Sequence, residues 1–80
     1  MSEKDISDEQ LLEDIRLTTI ELATYRELQN GYRILASMPE NIENKKSRLY
    51  QADHEYFLQL CNECNDFLLK LNKIKSDRGL

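Results

Sequence analysis

Apolar or small residues recur in the first half of the chain as Leu11, Ile15, Thr18, Leu22, Tyr25, Tyr32 and Ala36, in alternating steps of four and three with Gln29 interrupting. Steps of that size place side chains on one stripe of an α-helix. Leu17, Leu28 and Leu35 lie beside the stripe and make it broader than a two-stranded coiled-coil seam requires. At its start, Ser7 and Gln10 have the S-x-x-Q spacing of a capping box, with Ile6 and Leu11 at the flanking staple positions. A first helix is therefore expected over about 7–37. In the second half the main stripe reads Ile42, Leu49, Tyr56, Leu60, Phe67, Leu71 and Ile74, flanked by Phe57, Cys64 and Leu68. It predicts a second helix over about 39–75, before a frayed C-terminus at 77–80.

Two places could end the first helix. Asn30-Gly31 suits a left-handed C-cap, but the apolar phase runs on through Tyr32, Leu35 and Ala36. Ser37-Met38-Pro39-Glu40 offers a second capping box with Pro in the first turn, where its missing N–H costs nothing. The turn is placed at 37–39. Two long helices joined so tightly must run antiparallel. Folding about residue 38 sets Leu35 against Ile42, Leu28 against Leu49, Leu22 against Tyr56 and Leu11 against Phe67. Charge agrees, since residues 1–14 carry six acids and one Lys while 70–78 carry three Lys, one Arg and one Asp. Each block also suits its own helix dipole.

The fold class expected is thus all-α, an antiparallel two-helix hairpin of coiled-coil type over 7–76, preceded by a polar tail at 1–6. Composition supports it. With two Gly and one Pro in 80 residues, a sheet of several strands would lack turn residues. Leu, Ile and Phe together make 21 of the 80 residues, above the roughly 20% below which so charged a chain would be disordered. A domain near this size buries only about 60% of its unfolded surface, so oligomerisation or a partner chain is the expected source of further stability. No apolar run approaches the ~18 to 20 residues that span a bilayer, and the acidic start is unlike a signal peptide. An intracellular location, cytoplasmic or nuclear, follows as the expectation.

Candidate chemistry is sparse. Cys61 and Cys64 have C-x-x-C spacing, which can hold zinc or form a redox disulfide. Both fall deep in a helix on its apolar side, and His54, the only histidine, lies two turns away. They read as core thiols, with an intersubunit metal or disulfide and a reactive thiol as the alternatives. His54 reads as a solvated residue on a polar face, because its neighbours Asp53 and Glu55 point elsewhere. The acidic pairs Asp8-Glu9 and Glu13-Asp14 suit the first turns of a helix better than acid–base work. Lys45, Lys46 and Arg48 form a basic cluster, but the net charge of −4 opposes direct nucleic-acid contact. No catalytic residue, metal, cofactor, small-molecule substrate or membrane contact is assigned.

What remains is apolar surface that a hairpin cannot cover. Leu12 and Ile20 on the first helix, and Leu58 and Leu69 on the second, lie off the paired stripes and are the interface candidates. The function expected is a non-catalytic protein–protein interaction or structural subunit, an adaptor that completes a bundle with itself or with other helical proteins. The alternative is a small regulator that occludes a larger protein, such as one that handles nucleic acid.

Overall fold

The structure, a computed structural model, describes residues 6–80; the tail expected over 1–6 lies outside them apart from Ile6. Three helices follow in order: α1 (Asp8–Ser37), α2 (Pro39–Glu43) and α3 (Ser47–Asp77), with no strand among the described residues. The two long helices pack antiparallel into a rod of 54 × 18 × 15 Å. Helix α1 begins as its sequence dictates, with the Ser7 side chain accepting from the Gln10 N–H at 3.1 Å. It continues through Asn30-Gly31 to Ser37.

The second helix is not continuous. It breaks after Glu43, where the Lys45 backbone enters the left-handed region at φ 61°. The Lys46 N–H donates to the Asn41 carbonyl at 2.8 Å and the Lys45 N–H to that of Ile42 at 3.2 Å. These are the paired bonds of a Schellman stop, built here with Lys where glycine is usual. Nor does the second capping box form. The Ser37 hydroxyl donates backward to the Arg33 carbonyl at 2.8 Å, and α2 starts from Met38 without a side-chain cap.

The connection instead serves the end of α1, whose last carbonyls lack intrahelical donors. Asn41 donates from Nδ2 to the Leu35 carbonyl and Ser47 from its hydroxyl to the Ala36 carbonyl, both at 2.7 Å. Those two bonds turn a five-residue helix and a loop into a cap, and they fix where α3 begins.

This longer connection moves the register. Thr18 lies opposite Cys64, Gln29 opposite His54, and Tyr32 against Tyr50, about five residues beyond a fold about residue 38. Rather than Leu35 with Ile42, Leu28 with Leu49, Leu22 with Tyr56 and Leu11 with Phe67, the chain sets Leu22 against Cys61 and Cys64. The α1 stripe read from the sequence is the inner face: Leu11, Thr18, Leu22 and Ala36 are buried, and Ile15, Tyr25, Gln29 and Tyr32 partly so. On α3 the inner face keeps Leu71 from the expected stripe but otherwise follows its flanking residues. Phe57, Cys61, Cys64, Leu68 and Leu71 face α1, while Leu49 is 69%, Tyr56 58% and Phe67 43% exposed. Once the helix restarts at Ser47, its phase is set by Ser47 and Tyr50, and the residues one place earlier turn outward by about 100°.

At the far end α3 runs to Asp77, two residues beyond the expected end at 75. Gly79, at φ 74°, carries a second Schellman pair, with Leu80 donating to the Lys75 carbonyl at 3.1 Å and Gly79 to that of Ser76 at 3.0 Å. Arg78 reaches Asp8 at 2.9 Å, joining the basic and acidic blocks.

Candidate interaction surface

Each inner position of a long helix has one neighbour on either side. The residue just before it sits about 100° to one side, and the residue just after it about 100° to the other. Because α1 and α3 run in opposite directions, the two "before" rows share one broad face of the hairpin and the two "after" rows share the opposite face. The faces are unlike. The first carries Leu17, Leu28 and Leu35 from α1 with Leu49, Tyr56, Leu60, Phe67 and Ile74 from α3. Leu35, Leu60 and Ile74 are half-buried and the other five exposed. The second face is mostly polar: Arg16, Thr19, Arg26, Asn30 and Arg33 on α1 oppose Gln51, Glu55, Asn62, Asn65 and Asn72 on α3.

The four interface candidates are all exposed, but the four do not form one patch. Leu12, Leu58 and Leu69 fall on the polar face, where the register sets Leu12 at the level of Leu69 and Leu58 about three turns away, and Ile20 points away from both rows. Single exposed leucines of this kind are ordinary surface. The larger apolar surface consists of residues that the expected register would have used as core. The same spacing that suggested a buried stripe was describing a second, outward one.

Beside this face Gly31 leaves a shallow groove of about 210 Å³ lined by Glu27, Leu28, Tyr32 and Leu35. A wider cleft of about 640 Å³ lies at the connection, between Ile42, Lys45, Ser47 and Arg48. Its one hydroxyl, on Ser47, is committed to the Ala36 carbonyl. Lys45 and Lys46 belong to the loop rather than to a helix, and Arg48 to the first turn of α3.

The thiols are core residues. Cys61 and Cys64 are free and buried, packed with Leu22 and bordered by Tyr25 and Leu68. Cys64 contacts the Thr18 carbonyl at 3.6 Å. Burial first, then the charge of Glu21 and the nearby Cys61, push the Cys64 thiol above its ordinary value, which keeps it protonated and slow as a nucleophile. Among the described residues no group of three or more His, Cys, Asp or Glu could hold a metal ion.

His54 is not on a polar face. It is partly buried between the helices, with Nδ1 3.1 Å from the Gln29 carbonyl and 3.3 Å from Gln29 Nε2. Nδ1 can donate to the carbonyl or accept from the amide, according to tautomer. Either way Gln29 and His54 form a polar layer in the interface. The polar interruption at Gln29 was its only trace in the sequence. Around it Tyr32 stacks on Phe57 at 5.6 Å, and Phe57 also meets Tyr25 and Tyr56. On the surface, hydrogen bonding to Arg16 holds the Glu13 carboxyl below its usual range and raises Arg16 in turn.

No family model, curated protein or solved structure matches this chain. Among the described residues no helix is long and apolar enough to cross a membrane.

Proposed function

We propose that this protein is a non-catalytic interaction or structural subunit, an adaptor that adds its apolar face to a multi-helix assembly. The observation that carries the reading is the sorting of eight large apolar side chains onto one face, while the opposite face is mostly polar with three leucines. Fully burying a Leu or Phe side chain contributes about 1.5–3 kcal/mol, and large apolar side chains gathered on one face, here interleaved with Asp14, Glu21, Asp53, Glu63 and Lys70, mark a contact surface more often than scattered leucines do. The reading assigns no reaction, cofactor or small-molecule substrate. Its place is a reducing compartment inside the cell, where Cys61 and Cys64 stay as thiols.

The test is a photo-crosslinking amino acid placed in cells at position 67, and separately at position 58 on the opposite face. Crosslinks to a helical protein, or to the chain itself, should form from position 67 and disappear when Tyr56→Lys is added. Equal yields from position 58, or none from 67, would remove the apolar face as the contact.

A second reading, a small regulator of a larger nucleic-acid-handling protein, draws on the exposed cluster of Lys45, Lys46 and Arg48 at the loop end. Salt-sensitive binding lost in Lys45→Glu with Lys46→Glu, and kept in Tyr56→Lys, would favour it.

A further inference from the structure

We propose that the occupant of the apolar face is a second copy of this chain, docked antiparallel across a two-fold axis that passes α3 between Leu60 and Glu63. The proposal rests on the interaction reading above and names its partner. Its basis is the order of residues in the α3 row. Taken from its two ends inward, the row pairs Leu49 with Ile74, Asp53 with Lys70, Tyr56 with Phe67, and Leu60 with Glu63. Each pair is equidistant from one midpoint, beside Cys61. An antiparallel copy therefore meets the row with aliphatic on aliphatic, carboxylate on ammonium and aromatic on aromatic in its three outer pairs, and with Leu60 beside Glu63 at the axis. The axis repeats every contact, as an isologous interface requires, so the Asp53–Lys70 match is made twice.

Helix α1 is consistent with the same axis. Its row is centred between Glu21 and Thr24, at the level of Leu22, and Leu22 packs against Cys61. The rows of both helices thus share a midpoint, and the same axis brings Leu17 of one copy towards Leu28 of the other. A parallel arrangement would instead set Leu35 on Leu49, Leu17 on Phe67 and Asp14 on Lys70 and leave Asp53 against Gly31, so the two arrangements differ in the partner they give Asp53.

Size is adequate. The broad face measures 54 × 18 Å, a projected area on the order of 900 Å², against about 800 Å² per partner in interfaces of standard size. Two hairpins stacked this way make a four-helix bundle. The polar face, with its arginines and amides, stays outside.

The experiment is sedimentation equilibrium on the full chain over a wide concentration range, with charge exchanges at the matched pair. The unaltered chain should dimerise. Asp53→Lys and Lys70→Asp should each raise the dissociation constant about 10- to 100-fold, because each sets two pairs of like charges in contact. Combining them in one chain should restore the dimer. Mixing the two single variants should give a heterodimer in preference to either homodimer, which also shows that both variants fold. A dimer indifferent to both exchanges would overturn the antiparallel axis in favour of another arrangement. A monomer at every concentration would overturn the homodimer outright. The broader reading would then be decided separately by crosslinks from position 67 to a different protein.

Discussion

Between Leu11 and Leu22 on α1, and between Cys61 and Leu71 on α3, lie six of the seven buried side chains among the described residues; from Tyr25 to the loop only Ala36 is buried. The loop half is held by other means: four aromatic rings that stay partly wet, the Gln29–His54 layer, and the side-chain bonds from Asn41 and Ser47 that cap α1. Apolar burial is non-directional, and it tolerates sliding of one helix along the other. Hydrogen bonds at fixed positions do not. The difference suggests a division of labour in which the open end contributes most of the stability and the loop half contributes the register. A polar pair inside a helical interface is a known device for that second task.

The sharpest way to break this comparison is to delete one side chain in each half. Leu71→Ala, at a site only 1% exposed, should cost about 2–5 kcal/mol. Phe57→Ala removes a larger ring but from a partly wetted site, and should cost less, about 1–3 kcal/mol. Urea unfolding followed by circular dichroism measures both. A larger loss for Phe57→Ala would mean that the aromatic half carries the stability after all.

The loop half can also be improved where its backbone is strained. Lys45→Gly should stabilise the protein by roughly 0.5–1 kcal/mol, because the left-handed conformation costs glycine nothing sterically. Unchanged or reduced stability in the same urea experiment would show that the Lys45 side chain makes a compensating contact.

The smallest expected effect concerns pH and the open half. The folded-state pKa of Cys64 is raised, so the unfolded chain loses this proton first as pH rises. Stability from the neutral buried thiol is complete below the unfolded thiol range, about 8.5, and declines above it towards the folded value. Cys64→Ala should flatten that alkaline decline, read as the unfolding midpoint between neutral and alkaline pH. An identical slope in the variant would remove Cys64 as its source.

How much of this could be read in advance differs between the two long helices. On α1 the four-and-three spacing, the Ser7 cap and the run through Gly31 led directly to the observed inner stripe. On α3 the spacing was just as regular, but apart from Leu71, which is buried, it followed the neighbouring face. Two apolar stripes one residue apart cannot be ranked by periodicity, and their choice depends on the phase in which the helix begins. That phase is set by the stop at Lys45, which lacks the glycine that would have signalled it, and by Ser47 bonding back to Ala36. Both are tertiary facts. The same ambiguity misdirected the candidate surface, since residues assigned to the core were left out of the search for exposed ones. His54 was misplaced for a related reason: a register five residues short puts Arg48, and not His54, beside Gln29.

The position of Leu11 and Leu71 has a consequence for the order of assembly. Closing a contact costs more chain entropy as the separation along the sequence grows, and these two leucines, opposite in register, are 60 residues apart. If the hairpin zips from its connection, the aromatic layers around Phe57 form while the open end is still separated, and the best-buried pair closes last. Contacts absent from the rate-limiting step of folding act mainly on the rate of unfolding, so Leu11 with Leu71 is expected to behave as a latch: Leu11→Ala should speed unfolding more than it slows folding, read from the two arms of a denaturant chevron.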